Sequence, residues 1–208
     1  GSEMCIRDRS MSLVSMLYNI ELLKCAGENG VAAITILLYG QYLFNAFYLG
    51  FTIGISPVVG FQFGAKRKNE LKNIYRVSFI FVMCSSLLLT LAAIRLSTPI
   101  VSVFTHDAGT FALASSGFRI FAFNFLFSGF NIASSGFFTA LSNGRVSAVI
   151  SFARTLVFTV LSLLILPQII GINGAWTAIP AAEFLTLILS AGMHLKYFIR
   201  NNKYNYFE

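Results

Sequence analysis

The stretch SPVVGFQFGAKRKNELKNIYR, residues 56–76, joins an apolar, glycine-studded segment to five cations, Lys66, Arg67, Lys68, Lys72 and Arg76. A segment long enough to cross a bilayer lies on either side, and no other connection carries comparable charge. Lys and Arg in short connections are retained on the cytoplasmic face of a membrane, so residues 65–76 read as a cytoplasmic loop. The rest of the topology follows by counting crossings outward from it.

Hydrophobic residues make up 56% of the 208 and charged residues only 11%, with a mean hydropathy of +0.75. Such a chain has lipid as its solvent. Several apolar stretches approach or exceed the roughly 20 residues that span about 30 Å of hydrocarbon as helix. The strand alternation of a membrane barrel is absent, so all-α spans that satisfy their own backbone are expected. The net charge of +7 raises the question of nucleic acid. A basic run between spans is instead a topology signal and a contact for anionic headgroups, so membrane lipid is the expected partner and nucleic acid is not. Cys5, Cys25 and Cys84 lack metal-ligand spacing and read as free thiols, with no metal site expected. There is no nucleophile with a base, no phosphate-cradling loop and no dinucleotide fingerprint, so neither an enzyme nor a cofactor is expected.

Residues 1–10, GSEMCIRDRS, are charged and lack a signal-peptide core, and read as an appended or junction segment. Residues 11–200 then divide into six spans, at about 11–26, 31–63, 77–96, 111–141, 146–166 and 175–195. A polar turn at residues 28–30 separates the first two. A Ser-Thr-Pro at residues 97–99 and Pro167 end the third and fifth, and Ser-Asn-Gly-Arg at residues 142–145 ends the fourth. With the cationic loop inside, Arg145 and the cations of the C-terminal region, including a tail at residues 201–208, also fall inside. The outer loops carry Glu28 and Asp107 and no Lys or Arg. One orientation therefore satisfies every connection.

Six pieces in order resemble the C-terminal lobe of the multidrug and toxic compound extrusion (MATE) family. They are GENGVAA at residues 27–33, GFTIGISPVVGFQFGAKRKNELK from Gly50, VFTHD at residues 103–107, FRIFAFNFLFSGFNIASSGFFTALSNGR from Phe118, the span of Arg154, and GINGAWTAIPAAEFLT from Gly171. The resemblance implies one six-helix lobe of a twelve-helix, two-lobe transporter, spans seven to twelve. Such transporters export amphiphilic or cationic compounds in exchange for H⁺ or Na⁺ across the plasma membrane, here a bacterial inner membrane with the C-terminus cytoplasmic. The implied partners are the missing N-terminal lobe, a small amphiphilic substrate and the coupling ion. A lipid-linked sugar flippase of related architecture and a non-transporting six-helix membrane subunit are the alternatives.

Polar residues inside spans are costly and tend to face a bundle interior or a cavity, so they define the candidate pathway. Glu21, two residues after Asn19, could hold a cation, or simply pair with Lys24 one turn on. Asn124, Ser128, Asn131 and Ser135 share one helical face, either as a cavity lining or as helix-to-helix hydrogen bonds. Some members of the resembled family carry an acid in this span. The amides and hydroxyls here would move ion coupling to the other lobe. Arg154 lies deep in the fifth span, with Glu183 of the sixth as its expected partner, whether to fasten helices or to meet substrate. Gly50, Gly54, Gly60 and Gly64 form small-residue pairs that suggest close helix packing.

Overall fold

The structure, a computed structural model, describes residues 2–200 and the side chains of residues 12–198. The tail expected at residues 201–208 lies outside them. The described chain is helical: α1 (Ser2–Gly64), α2 (Lys68–Arg95), α3 (Ser97–Phe104), α4 (Ala108–Phe121), α5 (Asn124–Ala140), α6 (Gly144–Phe152), α7 (Thr159–Ile170) and α8 (Ile172–His194). A π-helical turn, Ala153–Phe158, joins α6 to α7, and another, Leu195–Arg200, extends α8.

Four stretches are long and apolar enough to cross a membrane, Ser12–Gly64, Lys68–Arg95, Gly144–Ile170 and Ile172–Phe198, and the bent pair α4 and α5 makes a fifth. The first of these reverses on itself at Gly27, whose φ of 64° and ψ of −154° only glycine adopts without strain. Across the reversal, the Leu22 carbonyl lies 3.0 Å from where a Cβ on Gly30 would sit. Farther down, Val14 and Ser15 share a cavity wall with Leu38, Gln41 and Tyr42. The two arms of α1 are therefore antiparallel, which makes six crossings in all. The turn is made by Gly27 alone, and Glu28 and Asn29 already belong to the second arm rather than to a loop. Gly171 repeats the device between α7 and α8 (φ 60°, ψ −140°). Gly27→Ala should cost about 1–3 kcal/mol, read by denaturant titration in micelles, while Gly192→Ala, in open space on α8, should cost nothing.

The cationic connection is shorter than the sequence suggests. Only residues 65–67 leave the helix, with Lys66 at φ 56°, and Lys68, Lys72 and Arg76 ride on the first turns of α2. Strong helix formers fill this stretch, Glu70 faces the positive helix start, and Leu71 is buried in the core. Pro167 does not end its helix either; α7 runs on to Ile170.

The fourth span is broken. α4 and α5 meet at 53°, because the Asn124 amide donates to the Phe121 carbonyl at 2.7 Å. The Phe125 N–H, which would take that carbonyl in a straight helix, goes to Ala122 instead at 3.0 Å. Tyr48 of α1 then donates to the Phe125 carbonyl at 3.2 Å, so both carbonyls at the break, Phe121 and Phe125, are met by side-chain donors. At the other end of α4, Asp107 caps the helix by accepting the Thr110 N–H at 2.8 Å. That bond holds the Asp107 carboxyl below its ordinary value.

α5 is the central post, packed against α1, α2, α6 and α8. Around it lie two separate apolar cores. One gathers Tyr18, Leu37, Phe118, Leu163 and Trp176 at the Gly27 end of the bundle; the other gathers Val59, Phe79, Phe137, Ile150 and Phe198 near the cations. Between them runs a buried polar waist of Thr52, Ser85, Ser86, Ser128, Asn131, Glu183 and Thr186. Leu43, Ile53, Leu88 and Ile169 point outward and are exposed, the inversion expected of a lipid-facing surface.

Among the described residues, the expected packing glycines make no close approach. A Cβ on Gly50, Gly54 or Gly64 would meet nothing, and one on Gly60 would make only an ordinary contact with the Ala140 carbonyl at 3.6 Å. Regular spacing marks a face of a helix without saying whether a neighbour covers it. The close approaches are instead at Gly40 on Phe118, Gly117 on Trp176, Gly129 on Tyr48 and Ser86, Gly136 on Thr52, and Gly174 on the Leu166 backbone.

Candidate functional site

The polar waist opens into a cavity of about 320 Å³ between α1, α5, the α6–α7 span and α8. Its chemistry centres on Arg154 and Glu183. Arg154 sits on the π-helical turn, where the Thr159 hydroxyl donates to the Arg154 carbonyl five residues back at 2.8 Å. The Ser151 carbonyl, four residues before Thr155, accepts from the Thr155 hydroxyl. Such wide turns are rare, occur mostly as single turns within α-helices and are frequent at functional sites.

Glu183 follows Pro180 by three residues in α8. Its Oε1 accepts from Arg154 Nε at 2.7 Å, and the side chains are 21% and 4% exposed respectively. Its Oε2 accepts from Asn131 Nδ2 at 2.8 Å, and the same nitrogen reaches the Glu183 backbone carbonyl at 2.9 Å. Both carboxylate oxygens are thus occupied. Hydrogen bonds to the remaining lone pairs are what allow a buried ion pair to repay its desolvation.

Ser135 also lines the cavity. Its hydroxyl lies 2.8 Å from those of both Ser147 and Ser151, and Thr139 donates to Ser147 at 2.7 Å. This hydroxyl cluster fastens α5 to α6.

The other expected residues divide by position. Asn131 reaches the cavity through Glu183. Asn124 holds the helix break, and Ser128 is buried with its hydroxyl unpartnered among the described residues. Neither lines the cavity. Asn19 lines a separate groove of about 710 Å³ with Glu28, Tyr39 and Phe104. Glu21 pairs with Lys24 at 2.9 Å on the surface. The structure therefore brings Asn131, Ser135, Arg154 and Glu183 together and leaves Asn19, Glu21, Asn124 and Ser128 apart.

Two features escape sequence reasoning. Gln41, Asn45 and Thr52 form the α1 wall of the cavity, and their spacings of four and seven repeat the face-sharing signal used for α5. His194 is buried, with Nδ1 3.1 Å from the Tyr75 hydroxyl and Nε2 3.0 Å from that of Ser134. It ties α8 to α2 and α5, and no linear signal links those three residues.

The sequence model of the MatE family matches residues 4–164. The chain belongs to the MatE family. A comparison with curated proteins gives no match. Among solved structures, this MatE chain superposes on the inward-facing conformation of a multidrug resistance MATE family transporter of the MOP superfamily with a TM-score of 0.89 at 20% identity. That match covers 100% of this chain and 48% of the other. The outward-facing conformation of a multidrug resistance MATE family transporter gives 0.85 at 21% identity, covering 94% and 45%. A MOP superfamily transporter from Pyrococcus furiosus, whose binding pocket is described as having reverse polarity, gives 0.84 at 20% identity, covering 95% and 46%. At these identities the likeness is one of fold. The MatE chain spans slightly less than half the length of the transporters it matches, one lobe of a multi-pass membrane transporter.

Proposed function

We propose that this lobe is the C-terminal half of a secondary active efflux antiporter. It would export amphiphilic or cationic compounds from a bacterial cytoplasm across the inner membrane, in exchange for H⁺ or Na⁺, with its C-terminus inside. The observation that carries the reading is the cavity at mid-depth in a lobe that overlays transporters facing inward and outward. Binding near the midplane between two lobes, with access alternating as they rock, is the general arrangement of such transporters.

Coupling is assigned to the absent lobe. Among the described residues lining the cavity Glu183 is the one acid, and both its oxygens already accept hydrogen bonds. A free carboxylate for H⁺ or Na⁺ would therefore come from spans one to six.

Vesicles holding this chain alone should show no H⁺ or Na⁺ flux driven by either ethidium or an anionic amphiphile such as dansylglycine, because one wall of the path is missing, and flux with at least one of them should appear when a complementary six-span lobe is supplied. Flux from the chain alone would overturn the half-transporter reading.

A further inference from the structure

The geometry points to an oxyanion subsite in this lobe: the cavity beside Arg154 takes the carboxylate or phosphate head of an amphiphile. The inference rests on reading the cavity as part of a substrate path and names the class of substrate it favours.

Arg154 uses only Nε in its pair with Glu183. The structure gives no hydrogen bond to either terminal nitrogen among the described residues, while the side chain lines the cavity and stays 21% exposed. A guanidinium is planar, and the edge formed by its two terminal nitrogens matches a carboxylate or phosphate with two parallel hydrogen bonds. Glu183 has already engaged the other side of the group, which fixes the direction of that free edge.

The opposite charge finds no such reception. The one acid in the wall has both oxygens engaged, by Arg154 and by Asn131. A guest cation would have to displace one of those donors, and displacing Arg154 would strand a charge in low dielectric. The rest of the wall suits an amphiphile. Val14, Leu38, Ile132 and Ile179 offer apolar surface. Asn45 Oδ1, buried without a partner, can accept an N–H or O–H from the guest. A volume of about 320 Å³ is at the lower end of small-molecule sites, which run from about 300 Å³ upward.

The test uses two probes with one fluorophore and opposite charge, dansylglycine and dansylcadaverine, titrated into the purified chain in neutral maltoside micelles. Dansylglycine should bind saturably, and more tightly than dansylcadaverine. Arg154→Gln should weaken dansylglycine about tenfold, the scale of a lost charge-assisted hydrogen bond, without weakening dansylcadaverine. Arg154→Lys should restore only part of the affinity, since an ammonium lacks the paired edge. Because Arg154→Gln alone leaves Glu183 unpaired, Arg154→Gln with Glu183→Gln supplies a variant without a stranded charge, and it too should lose the preference for dansylglycine.

Adding phosphatidylglycerol identifies the source. Competition places a lipid phosphate in the subsite, and unchanged dansylglycine binding places a soluble acid there; either outcome supports the oxyanion assignment. Tighter binding of dansylcadaverine, or dansylglycine affinity unchanged in both Gln variants, would overturn it. Failure here with flux intact in the two-lobe assay leaves the transporter reading standing, and the reverse result leaves the subsite standing without it.

Discussion

Glu183→Ala should be among the most damaging single substitutions in this lobe, lowering its stability by about 3 kcal/mol or more. The change removes a 4% exposed carboxylate and leaves Arg154, 21% exposed, without its partner. It also strips Asn131 of one of its two acceptors. The penalty is for an uncompensated buried charge, so removing both charges should be far milder. Arg154→Met with Glu183→Leu keeps the volume, and Asn131 keeps its bond to the backbone carbonyl at position 183. Titration with a denaturing detergent, monitored by circular dichroism, measures both, and the double variant should recover most of the loss. Glu21→Ala is the control, since the Lys24 it leaves behind is 65% exposed and keeps its charge in solvent, which limits the loss to under about 1 kcal/mol. If Glu183→Ala cost no more than Glu21→Ala, the ion pair would not be holding these helices.

Gly174→Ala should cost about 3 kcal/mol, the upper range for overpacking a tight interface, or prevent folding. A methyl group there would land on the Leu166 carbonyl and the Pro167 nitrogen. These are backbone atoms that cannot swing aside as a side chain does, so α7 and α8 would have to separate. The same unfolding assay should show no loss for Gly50→Ala or Gly54→Ala, which face open space. Helix propensity predicts a gain of up to about 1 kcal/mol for each. Equal damage at Gly50 and Gly174 would mean that the α1 glycines are packed after all.

These two predictions also show what a linear reading can reach. The all-helical bundle of apolar spans was legible because hydropathy is local: each span declares itself without reference to any other. The Arg154 and Glu183 pairing was legible because only two deep charges of opposite sign were available to each other. The break before Asn124 was not, since an amide that replaces a backbone donor looks, in sequence, like any other polar residue in a span. The four α5 residues share a helical face, but a helix surrounded on all sides presents several neighbours to one face, so Asn124, Ser128, Asn131 and Ser135 serve different partners. The π-turn at Ala153–Phe158 leaves hydropathy unchanged, and its marker, Thr159 bonding back to Arg154, is visible only in three dimensions. The glycine spacing on α1 marks a helical face that no neighbour among the described residues covers closely.

The division of the interior into two apolar cores parted by a polar waist bears on how the lobe comes apart. A single continuous core melts as one unit, but here two packed clusters are parted by a polar layer that holds the Arg154 and Glu183 pair. Cooperative units of this kind open separately, at free energies below that of global unfolding. Amides near Phe137 and Ile150 can then exchange with solvent on a different schedule from those near Trp176 and Leu163. The polar waist, where the packing is thinnest in carbon and richest in hydrogen bonds, would be the hinge line of the protein.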